Sequence, residues 1–275
     1  MLTPLTTVLE MAEAGKFAVP AFNVYNLETA MGVSRAAEKL NAPVILQIYS
    51  RLFDSPNGKY LAPSVLSMIA DMKVPVALHL DHGAGLPEVM RALRAGMSGV
   101  MIDGSGLPFA ENVALTRQVR ELAESVGVPT EGELGHVGTV NDESLSPFTE
   151  PAEAALFAKA TGVCSLAVMI GTAHGRYKKE PKLDQVRLSA IREACGLPLV
   201  LHGGSGIPDA AIVEAITRGI RKVNFGTDVC YSFLDTVCAT DRKIVAVDLF
   251  MRDAVDSVCA YAESKIRLLG AENRA

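Results

Sequence analysis

The 275-residue sequence contains no tryptophan, and aromatic residues make up only 5% of it. Such a composition argues against a stacking platform for bases or sugars, because these platforms are built from aromatic side chains. Basic runs are also missing, and the formal net charge is −5 with a pI near 5.6. An acidic chain without basic clusters lacks the electrostatic footprint of a nucleic-acid surface. We therefore expect no nucleic-acid partner.

Long apolar runs are absent as well. The longest ones have the length of a β-strand, well below the roughly 20 residues that span a membrane as a helix. A signal peptide has a basic stretch followed by an apolar one. Residues 1–5 do not show this pattern. We expect no membrane partner and no export signal.

Cysteines are few and lack the spacing of a metal or redox site. The five residues are Cys164, Cys195, Cys230, Cys238 and Cys259. Most have apolar neighbours, among which a free cysteine behaves as a small hydrophobic residue. An odd number without a CxxC pair is typical of a reducing compartment. The sequence thus predicts a cytoplasmic location.

The chain does contain a strand followed by a helix, repeated along its length. Eight short β-rich segments are predicted strands: 17–23, 44–49, 74–80, 99–103, 128–134, 164–171, 197–201 and 222–226. Helical periodicity occupies 3–15, 26–40, 62–72, 86–95, 109–126, 151–160, 184–194, 208–218 and roughly 248–270. Thr3 is the predicted N-cap of the first helix, with Pro4 at its first position.

Apolar strands separated by helices indicate a parallel sheet that is covered on both faces. Eight such units, in a chain close to the typical ~250 residues, favour a closed (β/α)8 TIM barrel over an open sheet. No linker or shift in composition divides the chain. We predict a single α/β domain over residues 1–275 with an extra C-terminal helix. Segments 53–61 and 135–150 lack periodicity and follow strands, and the second is long enough to be a lid.

Three of the five histidines end an apolar strand just before a glycine: His82, His174 and His202. They are expected to converge, because all C-terminal strand ends of a barrel face one side. Three neutral imidazoles with an open fourth position describe a catalytic zinc site. His79 lies inside its strand. It is expected to face neighbouring side chains and to donate a hydrogen bond to one of them, rather than to bind the metal. His136, in the long loop, has no assigned role.

Acidic residues surround the predicted metal position. Asp81 precedes His82 and would remain ionised beside a cation, where it could exchange protons. Asp103 closes the fourth strand, and Glu131 and Glu133 alternate along the fifth, so they point the same way. Such acids either move protons or hold a second metal position. The alternative is that Glu131 only balances lysines or arginines of the barrel.

Glycine-rich loops follow the last two strands. Gly203, Gly204 and Gly206 end the seventh strand and open a helix, and residues 224–228 follow the eighth. Backbone N–H groups freed at a helix start bind anions, especially phosphate. Phosphate pockets of barrels are commonly built from these two loops. The sequence therefore predicts a phosphate site here.

Together these motifs resemble the class II, zinc-dependent fructose- or tagatose-bisphosphate aldolases. The resembling segments occur in family order over residues 1 to about 230, and the tail 231–275 matches loosely. They are 20–24, 79–83, 100–105, 108–112, 131–135, 170–175, 201–206 and 223–224.

The resemblance implies a role for each matching position. His82, His174 and His202 would bind Zn²⁺, while Asp103 and Glu133 would belong to an alternative resting position of the metal. Asp81 would exchange the proton of the C4 hydroxyl group, and Asn224 would hold the enediolate of dihydroxyacetone phosphate. The implied substrate- and phosphate-binding residues are Asn23, Gly175, Gly203, Ser205 and Thr227. A monovalent cation, Na⁺ or K⁺, near the phosphate loops is implied as well.

The sequence departs from the family pattern in the half of the site that faces the aldehyde. Asn141 stands where the family has a catalytic lid glutamate, and an amide cannot take a proton. Asp142 or Glu143 is therefore expected to substitute. After the second strand the family has a serine that contacts the far end of the substrate, and this chain has Tyr49 followed by Ser50.

A third departure lies in the tail, where the family's Asp-Pro-Arg meets the distal phosphate. This motif has no clean match, and Arg242 is the nearest candidate.

The resemblance implies an enzyme of carbohydrate metabolism, of the glycolytic type, that reversibly cleaves a ketose phosphate into dihydroxyacetone phosphate and an aldehyde. The altered distal half favours tagatose 1,6-bisphosphate, or a ketose 1-phosphate with another distal group, over fructose 1,6-bisphosphate. The alternatives are a zinc-dependent lyase or isomerase for another phosphorylated metabolite, and a non-catalytic protein that binds such a metabolite. Because the family is typically dimeric or tetrameric, we expect a homodimer or homotetramer.

Overall fold

The computed structural model describes residues 1–53, 55–140 and 148–275. Within them, eight parallel strands close into a barrel in sequence order, with β8 pairing with both β7 and β1. The strands are β1 (Val19–Asn23), β2 (Val44–Tyr49), β3 (Val76–Gly83), β4 (Gly99–Ile102), β5 (Thr130–Leu134), β6 (Ser165–Val168), β7 (Leu199–Leu201) and β8 (Ile220–Phe225). The predicted (β/α)8 TIM barrel is confirmed.

Helices surround this barrel and cover its outer face. They are α1 (Leu5–Gly15), α2 (Leu27–Lys39), α3 (Pro56–Asp71), α4 (Leu86–Arg94), α5 (Phe109–Glu124), α6 (Pro151–Thr161), α7 (Gln185–Cys195), α8 (Asp209–Thr217), α9 (Thr227–Ala239) and α10 (Val247–Leu268). The C-terminal helix α10 packs against α2 and α9. None of the helices in the described ranges is long and apolar enough to cross a membrane.

Burial on both faces explains why the strands are almost continuously apolar. All eight residues of β3 are buried, and so are all six residues of β8, including the polar ones. A strand in this position has one face against the helices and the other in the barrel interior. A polar side chain on such a strand costs free energy unless it has a partner inside the barrel or at its mouth.

Three sequence predictions about elements are wrong. Thr3 does not cap α1, since the helix begins at Leu5 with Pro4 as the N-cap residue. Instead the Thr3 hydroxyl donates to the Met1 carbonyl, and the Thr3 amide donates to the Val76 carbonyl. The segment 53–61 was expected to lack periodic structure, but its residues 56–61 are helical, because α3 begins at Pro56.

The third error is the helix α9, which was not predicted. Val229 and Phe233, one turn apart, are its only buried side chains, while the remaining positions are partly or fully exposed. Such a narrow apolar face gives a weak periodic signal. The predicted C-terminal helix corresponds to α10.

Candidate active site

The end of β3 places two neighbouring polar side chains in one cavity. Successive residues of a regular strand point to opposite faces, yet Asp81 and His82 both line the mouth of the barrel. His82 adopts the left-handed conformation, with φ at +48°, and the pairing of β3 with β4 shifts its register between Leu80 and Gly83. This break in the strand turns His82 towards the same space as Asp81.

Three imidazoles meet above the barrel. The ring centroid of His82 lies 5.0 Å from that of His174 and 4.7 Å from that of His202. Three buried ring nitrogens, Nε2 of His82, Nε2 of His174 and Nδ1 of His202, have no hydrogen-bond partner among the described residues. Since buried polar atoms are normally paired, and each of these residues offers a ligand atom within 4.8 Å of the others, the three residues fit a metal ion.

Carboxylates behind two of these rings fix which nitrogen faces the centre. Asp103 Oδ2 lies 2.8 Å from His82 Nδ1, and Glu131 Oε1 lies 3.0 Å from His202 Nε2. A carboxylate that accepts the ring N–H leaves the other nitrogen with a free electron pair, which is the usual arrangement around a metal-binding histidine. The donor set therefore fits a cation such as Zn²⁺ in both type and orientation.

A second group of ligands adjoins the first. His82, Asp103 and Glu133 also place ligand atoms within 4.8 Å of one another. Glu133 Oε2 is buried without a hydrogen bond of good geometry, and it lies 3.3 Å from His202 Nδ1 and 3.9 Å from His82 Nδ1. The Ser105 hydroxyl holds the two acids together, at 2.6 Å from Asp103 Oδ1 and 3.1 Å from Glu133 Oε1. All five residues predicted as metal ligands are thus brought together.

The charges of this cluster favour a cation at its centre. Burial by itself would lower the pKa of His82, but Asp81, Asp103 and Glu133 raise it to about 10. Burial and the neighbouring His82 lower the pKa of His174 to about 3. The acids thus stabilise positive charge at this point, while the third imidazole stays neutral and able to bind metal.

Asp81 is held by two amides. Asn23 Nδ2 donates to its Oδ2 atom at 2.7 Å, and Asn224 Nδ2 donates to its Oδ1 atom at 3.3 Å. Gln47 donates in turn to Asn23 Oδ1 at 3.3 Å. Although burial opposes it, the charge of His82 keeps the pKa of Asp81 below its ordinary value. An ionised, oriented carboxylate therefore stands beside the three converging histidines.

The predicted phosphate residues line the same cavity, which has a volume of about 310 Å³. They are Gly175, Gly203, Ser205 and Thr227. Helix α9 begins at Thr227, and its first amides include that of Asp228, which donates to the Ser205 hydroxyl at 3.1 Å. Gly203 is in the left-handed conformation, with φ at +66°, and an added Cβ would overlap the Ala173 carbonyl oxygen. A helix start beside a glycine turn suits an anion.

The residues predicted for the distal half are distributed differently. Tyr49 lines the cavity, and its ring centroid is 5.8 Å from that of His82. Ser50 is buried and does not line it, and Arg242 is exposed in the connection between α9 and α10, outside this cavity. Asp142 and Glu143, together with Asn141, lie outside the described residues.

Several further residues of the cavity were not predicted from the sequence. Tyr25, Arg51, His136, Val137, Gly138, Thr139 and Gly226 line it too. Tyr25 closely follows β1 and Arg51 closely follows β2. Residues just beyond the C-terminal strand ends lie at the mouth of a barrel, so their position in the sequence could have identified them.

Two predictions about the barrel interior can be settled. Glu131 does balance a barrel lysine, Lys222, as well as contacting His202. His79 was expected to donate a hydrogen bond, and this is wrong: its Nε2 atom lies 3.7 Å from Glu131 Oε2, and neither ring nitrogen has a partner among the described residues. Burial and the charge of Lys222 lower the pKa of His79 to about 3, so the ring is neutral.

The chain matches the family model described as class II fructose-bisphosphate aldolase over residues 3–274. Among solved structures, the YdjI aldolase from Escherichia coli K12 is 34% identical, with 100% of both chains covered and a TM-score of 0.91. A putative fructose-1,6-bisphosphate aldolase from Coccidioides immitis is 28% identical over 98% of this chain and 96% of that one, with a TM-score of 0.91. A fructose-bisphosphate aldolase from Campylobacter jejuni is 26% identical over 98% and 95%, with a TM-score of 0.82.

Proposed function

Since the chain belongs to the class II fructose-bisphosphate aldolase family, we propose that it reversibly cleaves a ketose phosphate into dihydroxyacetone phosphate and an aldehyde, with Zn²⁺ as its cofactor. Membership of this family makes it an aldolase, that is, a carbon–carbon lyase. The observation that carries the proposal is the set of three unpartnered histidine nitrogens beside Asp81, in a cavity that also holds the glycine loops.

His82, His174 and His202 would hold the zinc ion. When bound there, zinc supplies a Lewis acid that stabilises the negative charge left on the three-carbon product after the C3–C4 bond breaks. This chemistry requires no lysine that forms a Schiff base with the substrate. In the described ranges no lysine lines the cavity, which supports the assignment to the metal-dependent class.

Asp81 is the proposed acid–base group for the C4 hydroxyl. Its carboxylate accepts the hydroxyl proton during cleavage and returns it during condensation, in the manner of general acid–base catalysis. The amides of Asn23 and Asn224 keep the carboxylate in one orientation. Asn224 also faces the cavity and is proposed to donate a hydrogen bond to the enediolate oxygen of the three-carbon half.

The loops around Gly175, Gly203, Ser205 and Thr227 are the proposed site of the substrate's 1-phosphate. Glycine backbone amides and the first turn of α9 offer the donors that a phosphate needs. A monovalent cation, Na⁺ or K⁺, is proposed near these loops. Asp103 and Glu133 are proposed to receive the metal in an alternative resting position, next to His82.

The distal half supports a substrate other than fructose 1,6-bisphosphate. Tyr49 and Ser50 stand where the family has a serine, and Arg242 lies outside the cavity in this subunit. We propose that Asp142 or Glu143 handles the C3 proton in place of Asn141. Tagatose 1,6-bisphosphate and ketose 1-phosphates with another distal group are the proposed substrates.

The proposal is tested by metal removal and replacement. Chelation is expected to abolish cleavage of tagatose 1,6-bisphosphate, fructose 1,6-bisphosphate and other ketose 1-phosphates, and added zinc is expected to restore it. His174→Ala is expected to lose both bound zinc and activity, measured by metal analysis and release of dihydroxyacetone phosphate. Full activity in the chelated, zinc-free protein would contradict a metal-dependent mechanism. A clear preference for fructose 1,6-bisphosphate would contradict the substrate assignment.

We further propose a cytoplasmic homodimer or homotetramer. All five cysteines are unpaired, as in proteins of a reducing compartment. Molecular mass in solution, from sedimentation or light scattering, distinguishes a dimer from a tetramer and from a monomer.

A further inference from the structure

Arg51 reaches the cavity through a change of direction after β2. Tyr49 ends the strand, Ser50 turns inward and is buried, and Arg51 lines the cavity within the 3₁₀ turn Ser50–Leu52. Its guanidinium carbon stands 5.6 Å from the centroid of the Tyr49 ring. The arginine is exposed, so its charge meets both solvent and the space above the metal-binding residues.

Among the described residues that line the cavity, Arg51 is the single lysine or arginine. Other arginines of the protein, such as Arg187 and Arg218, form ion pairs with nearby carboxylates. No ion pair joins Arg51 to a carboxylate within residues 1–53, 55–140 and 148–275. Burial raises the pKa of Tyr25 and of Tyr49, and the charge of Arg51 acts against that rise in both. With no carboxylate partner among these residues, its guanidinium is available to a ligand in the cavity.

The barrel order separates Arg51 from the glycine loops. Gly175 and Gly203 follow β6 and β7, whereas Arg51 follows β2, which lies four strands from β6 and three strands from β7 around the closed barrel. Thr227, which opens α9 after β8, is nearer, at two strands from β2. Tyr49, beside Arg51, is near His82. A substrate whose 1-phosphate lies at the glycine loops, and whose reacting bond lies beside Asp81, extends its other end towards the β2 side.

We propose that Arg51 binds a negatively charged group, phosphate or carboxylate, at the far end of the aldehyde and thereby sets the enzyme's preference for acidic aldehydes. The inference rests on the proposed aldolase function and names its substrate class. A guanidinium binds either oxyanion through paired, charge-assisted hydrogen bonds. A neutral aldehyde offers no such partner, so it gains nothing from this residue.

Three aldehydes with three carbons each distinguish a neutral, a phosphate and a carboxylate distal group. They are glyceraldehyde, glyceraldehyde 3-phosphate and tartronate semialdehyde, which carries a carboxylate. Each is condensed with dihydroxyacetone phosphate by the zinc-loaded enzyme. We expect at least one anionic aldehyde to exceed glyceraldehyde in kcat/KM by about tenfold or more. The better of the two shows whether the distal group is a phosphate or a carboxylate.

Arg51→Gln is expected to lower kcat/KM for the preferred anionic aldehyde by about ten- to hundredfold, with little change for glyceraldehyde. Arg51→Lys keeps the charge without the paired donors, so its kcat/KM for the anionic aldehyde is expected to lie between those of the wild type and Arg51→Gln. Arg117→Ala, which removes an exposed arginine on α5 that pairs with Glu121, is the matched control and should leave all three rates unchanged. Circular dichroism verifies the folding of each variant.

Proton exchange of dihydroxyacetone phosphate without any aldehyde separates this inference from the proposed function. Wild-type protein that shows no exchange would refute the aldolase chemistry and this inference with it. If exchange occurs but Arg51→Gln impairs it as strongly as condensation, Arg51 serves the 1-phosphate and the inference is wrong. Equal losses for neutral and anionic aldehydes, or a wild-type preference for glyceraldehyde, would also overturn it.

Discussion

Lys222 and Glu131 form an ion pair in the interior of the barrel, with 2.9 Å between Nζ and Oε2 and no exposure of either side chain. Glu131 also accepts from His202 Nε2. Burial opposes the charge of Glu131, but Lys222 holds the pKa of this carboxyl well below its usual range. The lysine thus keeps the glutamate ionised, and the glutamate keeps the His202 proton on the nitrogen that faces away from the proposed metal centre.

Replacing Lys222 by Met should therefore weaken metal binding. The variant leaves a buried carboxylate without its cation, which destabilises a protein by about 3–5 kcal/mol. Loss of such support behind a ligand lowers metal affinity by about 10- to 100-fold. Competition with a chelator measures zinc affinity, and urea unfolding measures stability. Lys39→Met, which breaks the exposed pair with Glu263, should change neither by much. Wild-type zinc affinity in Lys222→Met would show that the pair has no influence on His202.

Asp81→Asn should separate bond cleavage from proton exchange. The amide occupies the same space but cannot accept the C4 hydroxyl proton, so kcat for cleavage is expected to fall by about 10²- to 10⁴-fold. Exchange of the C3 proton of dihydroxyacetone phosphate should be reduced much less, because the proposed role of Asp81 is in the other half of the substrate. Steady-state cleavage and detritiation measure the two reactions. The control is Asp235→Asn at an exposed position of α9. Equal losses in both reactions would contradict this role.

Gly203→Ala should damage the phosphate half. The new Cβ meets the Ala173 carbonyl oxygen, so the loop after β7 has to move. We expect the KM for dihydroxyacetone phosphate to rise by about tenfold or more, since one lost charge-assisted hydrogen bond has that effect. Gly196 has a similar φ of +69° with no atom within 4 Å of an added Cβ. Gly196→Ala therefore controls for backbone strain alone, and a normal KM in Gly203→Ala would argue against the loop as the phosphate site.

Asp184 should make the protein's stability depend on pH under acidic conditions. It caps α7, with Oδ1 accepting from the Arg187 amide at 2.9 Å and Oδ2 from the Arg187 side chain at 3.1 Å. The backbone hydrogen bond from Arg187 is the main reason that the pKa of Asp184 is lowered. Because the folded pKa is below the unfolded value, this stabilisation is present above the unfolded pKa and is lost as pH falls through the folded one.

Asp184→Ala should accordingly lower the free energy of unfolding by about 1 kcal/mol at pH 7. The difference from wild type should shrink as the pH falls below the ordinary pKa of aspartate, about 4. Asp184→Asn keeps a side-chain acceptor, so its free energy of unfolding should fall less than that of Asp184→Ala. Urea unfolding at a series of pH values measures these differences, and a gap that stays constant down to pH 2 would exclude the ionised carboxylate as their source.

Thiol reactivity should follow burial. Burial raises the pKa of Cys164 to about 12, so this thiol has almost no thiolate near neutral pH and should resist alkylation. Cys238 is exposed and should be alkylated first. Mass spectrometry after brief treatment with iodoacetamide, in native and urea-unfolded protein, compares the two. Early labelling of Cys164 in the native protein would contradict its placement.

The barrel and the convergence of the histidines could be predicted because both follow from local patterns. Apolar segments at regular intervals define the strands, and a parallel barrel brings all their C-terminal ends to one side. His82, His174 and His202 could therefore be grouped before any distance was known. Their carboxylate partners could be named as nearby, since Glu131 and Glu133 share one face of β5.

The features that could not be predicted depend on long-range packing or on the direction of a single turn. Lys222 and Glu131 are 91 residues apart, and their pairing requires the barrel register. Arg51 enters the cavity because Ser50 turns inward, and no periodicity encodes a three-residue 3₁₀ turn. Helix α9 could not be predicted because it buries only two apolar side chains, Val229 and Phe233. The identity of the acid that replaces Asn141 stays a prediction.

The left-handed backbone at His82 has a consequence for how the proposed metal site could change the metal that it prefers. Histidine, asparagine and aspartate tolerate that conformation better than other side chains, whereas β-branched residues are strongly disfavoured in it. His174 and His202 are not among the described residues with positive φ. Replacing a ligand to select another metal would therefore cause less backbone strain at positions 174 and 202 than at position 82. Natural or engineered diversification of metal use in this scaffold should begin at those two strand ends.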